Sequence, residues 1–117
     1  MTLTRPEKFC LDRRRRKASQ STEAHARGVG LHPYENLEKG RTEHASTRYL
    51  SAPKVRDLTP QEWCYVLRRR AKVTQSELAK RLRMSRAWVV AMEEGTGDCS
   101  PLVWYWTNTH NGHSITE

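Results

Sequence analysis

Residues 74–95 read TQSELAKRLRMSRAWVVAMEEG, and the order of side chains in this stretch decides the fold. Thr74 carries a hydroxyl that accepts from backbone amides, and Glu77 follows three residues later, which is the pattern of a capped helix start. Leu78, Ala79 and Leu82 then fall on one helical face. Arg83-Met84 makes a short turn, Ser85 caps another helix with Val89 and Met92 inward, and Gly95 supplies a left-handed stop. Upstream, Thr59-Pro60-Gln61-Glu62 repeats the capping pattern and predicts a helix to about Ala71. Downstream, Ser100-Pro101 is expected to cap a fourth helix carrying Leu102, Val103, Trp104, Tyr105 and Trp106. The polar stretch 108–117 has no apolar periodicity and is expected to fray.

The same text occurs earlier in the chain. Shifted by 55 positions without a gap, 3–40 matches 58–95 at 12 of 38 positions, about four times the chance level from average composition. The matches include Thr4 and Glu7, Arg13-Arg14-Arg15, Lys17, Gln20-Ser21, Ala24, Glu38 and Gly40. A duplication of this length is one supersecondary module used twice. In the first copy Thr4 and Glu7 form the opening cap, and Ser19 caps the second helix. Gly28-Val29-Gly30 turns the chain. A third helix over 31–39 holds Tyr34 and Leu37 inward, with Pro33 tolerated in its first turn, and Gly40 ends it. A further helix is expected within 41–50. Glu23 and Arg27 stand where the second copy has Leu78 and Leu82. Either the first unit is a marginal fold or that face meets something polar, and it is expected to be the less stable unit.

The expected architecture is all-α: a unit over 1–50, a linker at 51–57, a unit over 58–107 and a tail over 108–117. Each unit is near the lower size limit for burying its own core. The chain carries 21 basic and 13 acidic residues, a net charge of +8, and this balance points to a polyanion, nucleic acid first. Cys10, Cys64 and Cys99 are odd in number and widely spaced, so neither a disulfide framework nor a zinc finger is expected. Neither a membrane span nor a secretory leader is read, and a cytoplasmic location is expected.

The string Leu67-Arg68, Thr74-Gln75, Leu78-Ala79, Met84-Ser85, Val89, Met92-Glu93 and Gly95 resembles the helix-turn-helix of the lambda-repressor/Cro family, the XRE-like repressors of phages and bacteria. The likeness covers 58–106. The first copy keeps Ser19-Gln20, Ala24, Val29, Leu37-Glu38 and Gly40, and loses the leucine of Leu-Ala and the serine cap of the third helix. The resemblance implies a sequence-specific DNA-binding regulator, a repressor of phage or mobile-element type, whose third helix enters the major groove of double-stranded DNA. On that reading Arg86, Ala87, Trp88 and Ala91 read bases, as do His32 and Asn36 in the first copy. Arg86 suits guanine, Ala87 or Ala91 a thymine methyl, and Asn36 adenine. Leu31 and Glu35 share that surface in the first copy. Thr74, Gln75, Ser76 and Ser85, with Ser19, Gln20, Arg15 and Arg16, are the expected phosphate contacts. Arg68–Glu93 and Arg13–Glu38 match a family ion pair and are read as structural. Because the two third helices differ, the expected DNA target is asymmetric. The chain is expected to act as a monomer or homodimer.

A different class of function also fits. Trp88, Val90 and Trp104 offer an apolar surface suited to a protein partner, so an interaction protein that inhibits another protein is the alternative. Charge alone also admits RNA. No nucleophile–base pattern, glycine-rich phosphate loop or paired acids are present, so no enzyme and no cofactor is expected. His110, His113 and Cys99 make a poor metal set, and no metal is expected.

Overall fold

A computed structural model of the chain describes residues 2–41 and 44–109. Among the described residues there are eight α-helices and no strand, so the molecule is all-α. The helices are α1 Arg5–Arg15, α2 Gln20–Ala26, α3 Leu31–Lys39, α4 Ala45–Arg48, α5 Pro60–Arg70, α6 Gln75–Leu82, α7 Arg86–Glu94 and α8 Ser100–Thr109. The chain divides into two compact units between Arg56 and Asp57, so most of the linker expected at 51–57 belongs to the first unit. Arg15 donates to the Arg56 carbonyl at 2.8 Å, one of the bonds tying that segment down.

The 55-residue register governs the backbone. Each helix of the second unit starts 55 residues after its counterpart: Arg5 and Pro60, Gln20 and Gln75, Leu31 and Arg86, Ala45 and Ser100. Left-handed residues recur at the same offset, with φ of 56° and 58° at Lys17 and Lys72, 71° and 55° at Gly28 and Arg83, and 71° and 82° at Gly40 and Gly95.

In the second unit the caps follow from local chemistry. The Thr59 hydroxyl accepts from the Glu62 amide at 3.3 Å, while the Glu62 carboxylate accepts from the Thr59 amide at 3.0 Å. Thr74 and Glu77 repeat this reciprocal pairing at the start of α6, and Ser85 accepts from the Trp88 amide at 3.3 Å to start α7. Each such cap contributes about 1 kcal/mol. Cys64, Leu67, Val73, Leu78, Ala79, Val89, Met92, Leu102 and Trp106 form the core, with α5 packed on α7 and α8, and α6 on α7. One expected cap is corrected. Ser100 lies inside α8, and the Asp98 carboxylate accepts from both its amide and its hydroxyl, at 3.1 and 2.7 Å. Asp98 can do this because it precedes the helix, where a carboxylate also meets the positive end of the dipole. The helix then continues through Thr109, so the polar stretch starts inside it; 110–117, with His110 and His113, lies outside the described residues.

The first unit packs α1 and α2 on α3 around Phe9, Ala24, Tyr34 and Leu37. The helix expected within 41–50 is a single turn, Ala45–Arg48, started by His44 Nδ1 accepting from the Ser46 amide at 3.0 Å. Residues 42–43 lie outside the described residues. Arg5 anchors this turn by donating to the Thr47 and Leu50 carbonyls at 2.9 and 2.8 Å. The charged substitutions for leucine are met inside the unit. Buried Glu23 accepts from Arg16 and Arg27, both at 2.7 Å, and Arg16 also donates to Asp12 at 2.8 Å. The Arg27 guanidinium lies 4.9 Å from the centre of the Phe9 ring, which gives the apolar core a cation–π neighbour where a leucine methyl would sit.

Candidate nucleic-acid interface

Both units build one clamp with the same geometry. Arg68 Nε donates to Glu93 Oε2 at 2.6 Å and its second nitrogen to Oε1 at 3.1 Å; its third reaches the Val73 carbonyl at 2.9 Å. The Gln75 carboxamide donates to Glu93 Oε1 at 3.0 Å. In the first unit Arg13 bonds Glu38 at 2.7 and 3.0 Å and the Ala18 carbonyl at 2.9 Å, and Gln20 donates to Glu38 at 3.1 Å. Glu38 and Glu93 are both buried, and a buried carboxylate is tolerated only when its oxygens are filled this way. Burial pushes the Glu38 carboxyl upward, but the bonds from Arg13 and Gln20 and the charge of Arg13 outweigh it and hold it below the usual carboxylate range. Burial likewise pushes Tyr34, beside this carboxylate, well above the ordinary phenol range. Each clamp ties the C-terminal half of the first helix to the end of the third and fixes the glutamine at the start of the second. The third helix is thereby held at a set angle to the chain around it.

The side chains predicted to meet DNA fall into distinct groups. Arg86, Ala87 and Trp88 are exposed at the first turn of α7, with Trp88 62% exposed. Ala91 and Val90 are half-buried, which corrects their expected outward placement: the buried arc of α7, centred on Val89, Met92 and Glu93, extends to their flanks. Thr74, Ser85 and Ser19 spend their hydroxyls on helix caps, and Ser76 is exposed. Arg16 is committed to Asp12 and Glu23, which hold its guanidinium firmly charged, and Arg15 to a backbone carbonyl. In the first unit His32 and Asn36 lie 3.3 Å apart and bond each other, while Leu31 is exposed and Glu35 half-buried.

Two features escaped sequence reasoning. Arg81 donates to the Tyr105 hydroxyl at 2.8 Å, linking α6 to α8. Such cross-helix bonds have no local signature. The second was legible: Lys80, Arg81, Arg83 and Arg86 are all exposed, and no acidic residue occurs from 78 to 92. This stretch runs from the end of α6 into the first turn of α7 and carries one sign of charge beside the exposed Arg86-Ala87-Trp88 face. Among the described residues no helix is long and apolar enough to cross a membrane, and no group of three metal-ligating side chains occurs. Compared with known proteins, the chain matches no family model, no curated protein and no solved structure.

Proposed function

We propose that this chain is a sequence-specific DNA-binding transcriptional regulator, a repressor of the lambda-repressor/Cro helix-turn-helix kind from a phage or mobile element. The observation that carries the reading is the second unit's combination of a braced Gln75, an exposed first turn of α7, and the one-signed run 80–86 beside it. A rigid helix with its N-terminal turn exposed suits the major groove, and a run of exposed cations suits phosphates. In this reading α7 reads bases through Arg86 and its neighbours, Gln75 and the basic run hold the backbone, and the clamps act structurally. The experiment is selection of duplexes from a random pool by the full chain, followed by gel shifts across a salt titration. A regulator of this kind enriches a defined sequence and binds it far more tightly than unrelated DNA at equal salt. Enrichment of nothing, or affinity that depends on salt alone, rejects it.

A second reading rests on Trp88 and Trp104, which are 62% and 61% exposed in the same unit. Large apolar side chains left in water mark protein-binding surfaces as well as grooves. On that reading the protein inhibits a protein partner through Trp88, Val90 and Trp104. It predicts that Trp104→Ala abolishes function while Arg86→Ala leaves it intact.

A further inference from the structure

The side chains of Arg86 and Trp88 make neither hydrogen bond nor ion pair among the described residues, and both residues are exposed. They occupy the first and third positions of α7, with Ala87 between them. At about 100° per residue, Ala87 points opposite the Val89–Met92 inner face, while Arg86 and Trp88 stand on its two flanks. The outward surface of this turn therefore carries a methyl-sized centre, with a guanidinium on one side of the helix and an indole on the other. A small central residue lets the helix backbone approach a surface closely, and the two larger side chains then reach to either side.

Resting on the DNA reading above, we infer that this first turn of α7 reads a guanine together with a nearby thymine, with Trp88 as the residue that selects the thymine through its C5-methyl. The charge surroundings favour a polyanion, because Lys80, Arg81 and Arg83 are exposed in the stretch leading into this turn, with no acidic residue from 78 to 92. The Arg86 fork matches O6 and N7 of guanine. The indole face offers apolar area, and the C5-methyl of thymine is the apolar feature that the major groove presents. Ala87 offers a single methyl and half-buried Ala91 little exposed surface, so the exposed indole presents the larger apolar area for this contact. The first unit has no equivalent: Pro33 stands where Trp88 does, and His32 and Asn36 satisfy each other.

The test uses the full chain and the duplex it selects. Each thymine of that duplex is replaced in turn by deoxyuridine, which removes the methyl and leaves every hydrogen-bonding group. Affinities are measured for the parent, Trp88→Ala and Arg86→Ala, with helical content checked by circular dichroism. At one thymine within about three base pairs of the guanine whose preference Arg86→Ala relaxes, the parent should lose about fourfold in affinity, the worth of one buried methyl. Trp88→Ala should bind the thymine and uracil duplexes equally. Loss of the methyl that matters at no position overturns the inference while leaving DNA recognition intact. So does a methyl effect that survives in Trp88→Ala. Failure to select any duplex rejects the DNA reading itself.

Discussion

The two units share a backbone register and a clamp, yet they fill the same core position by opposite means. Leu78 and Leu82 line α6 in the second unit; Glu23 and Arg27 occupy those places in α2. Leu78 is fully buried, and Glu23 is nearly so, but Glu23 stays inside only because Arg16 and Arg27 fill its oxygens. The comparison separates what the module requires from what it tolerates. The caps of the first two helices, the left-handed turn positions and the arginine–glutamate–glutamine clamp occur twice. The α2/α6 core face is interchangeable between hydrocarbon and a closed ion network.

The sharpest break of that comparison is in the element both units keep. Glu93→Ala leaves Arg68 without its buried partner and frees Gln75. It should cost about 3–5 kcal/mol, the penalty for stranding half of a buried pair. All four tryptophans lie in the second unit, so the change reads directly as an earlier urea midpoint in tryptophan fluorescence. A midpoint within error of the parent would mean that the clamp is ornamental.

The element the units do not share gives the next test. Glu23→Leu together with Arg27→Leu restores the residues of the second unit at both positions. Replacing a buried ion pair by packed hydrocarbon is often stabilising by about 1–4 kcal/mol, and the first unit should gain within that range. Glu23→Leu alone should destabilise it, because Arg16 and Arg27 then lose the carboxylate between them. The unit lacks tryptophan, so circular dichroism and tyrosine fluorescence follow it. The pair also makes the unit acid-sensitive. The bond from Arg16 holds the Glu23 carboxyl below its ordinary value, and Glu38 is lowered too. A depressed folded pKa gives stability that is full above the unfolded value of about 4.3 and lost as pH falls through the folded value. Acid titration should therefore weaken the parent's first unit more steeply than the double-leucine variant. Parallel titrations would show that Glu23 contributes nothing to this dependence.

How much of this was legible depends on how local each cause is. Helix starts were readable because a cap and its amide lie within three residues, as at Thr59–Glu62 and Thr74–Glu77. The same locality misled at Ser100, where the cap chemistry comes from Asp98, two residues earlier. The Glu23–Arg27 spacing was readable as a helical pair, but its burial was not: Arg16 and Phe9, which make burial tolerable, come from another helix. In the candidate site, Arg86 and Ala87 were readable as exposed from the 3.6-residue period, and Trp88 as lying at the margin of that face. The half-burial of Val90 and Ala91 was not, because it depends on how wide an arc of α7 the rest of the unit covers. The commitment of Arg16 also needed the folded chain, since a run of five basic residues reads as one solvated surface.

On DNA, the two third helices should part company. Arg86→Ala should cost about 1–3 kcal/mol at the selected site and relax one base preference, whereas Gln75→Ala should weaken binding at every sequence. Asn36→Ala should cost less than Arg86→Ala, since Asn36 is already bonded to His32. Gel shifts with the selected and scrambled duplexes separate these cases. An Asn36 effect equal to that of Arg86 would restore the first unit as a full partner in reading.

The smallest expected effect concerns one turn. Arg83 holds a left-handed backbone with φ of 55°, and its counterpart Gly28 has φ of 71°. That conformation is natural for glycine and strained for arginine, at about 1–2 kcal/mol. The second unit thus bears strain that the first avoids, at a position where the strained residue adds an exposed cation to the run 80–86. Arg83→Gly should stabilise the second unit by about 0.5–1 kcal/mol, since the lost strain exceeds the extra entropy of glycine in the unfolded chain. It should also lower the slope of log affinity against log salt by about one, the signature of one phosphate contact removed. The reverse change completes the comparison. A side chain at Gly28 meets open space, so Gly28→Arg should cost only the strain and add no specificity. An unchanged salt slope in Arg83→Gly would remove Arg83 from the DNA surface and leave its strained turn a feature of the fold alone.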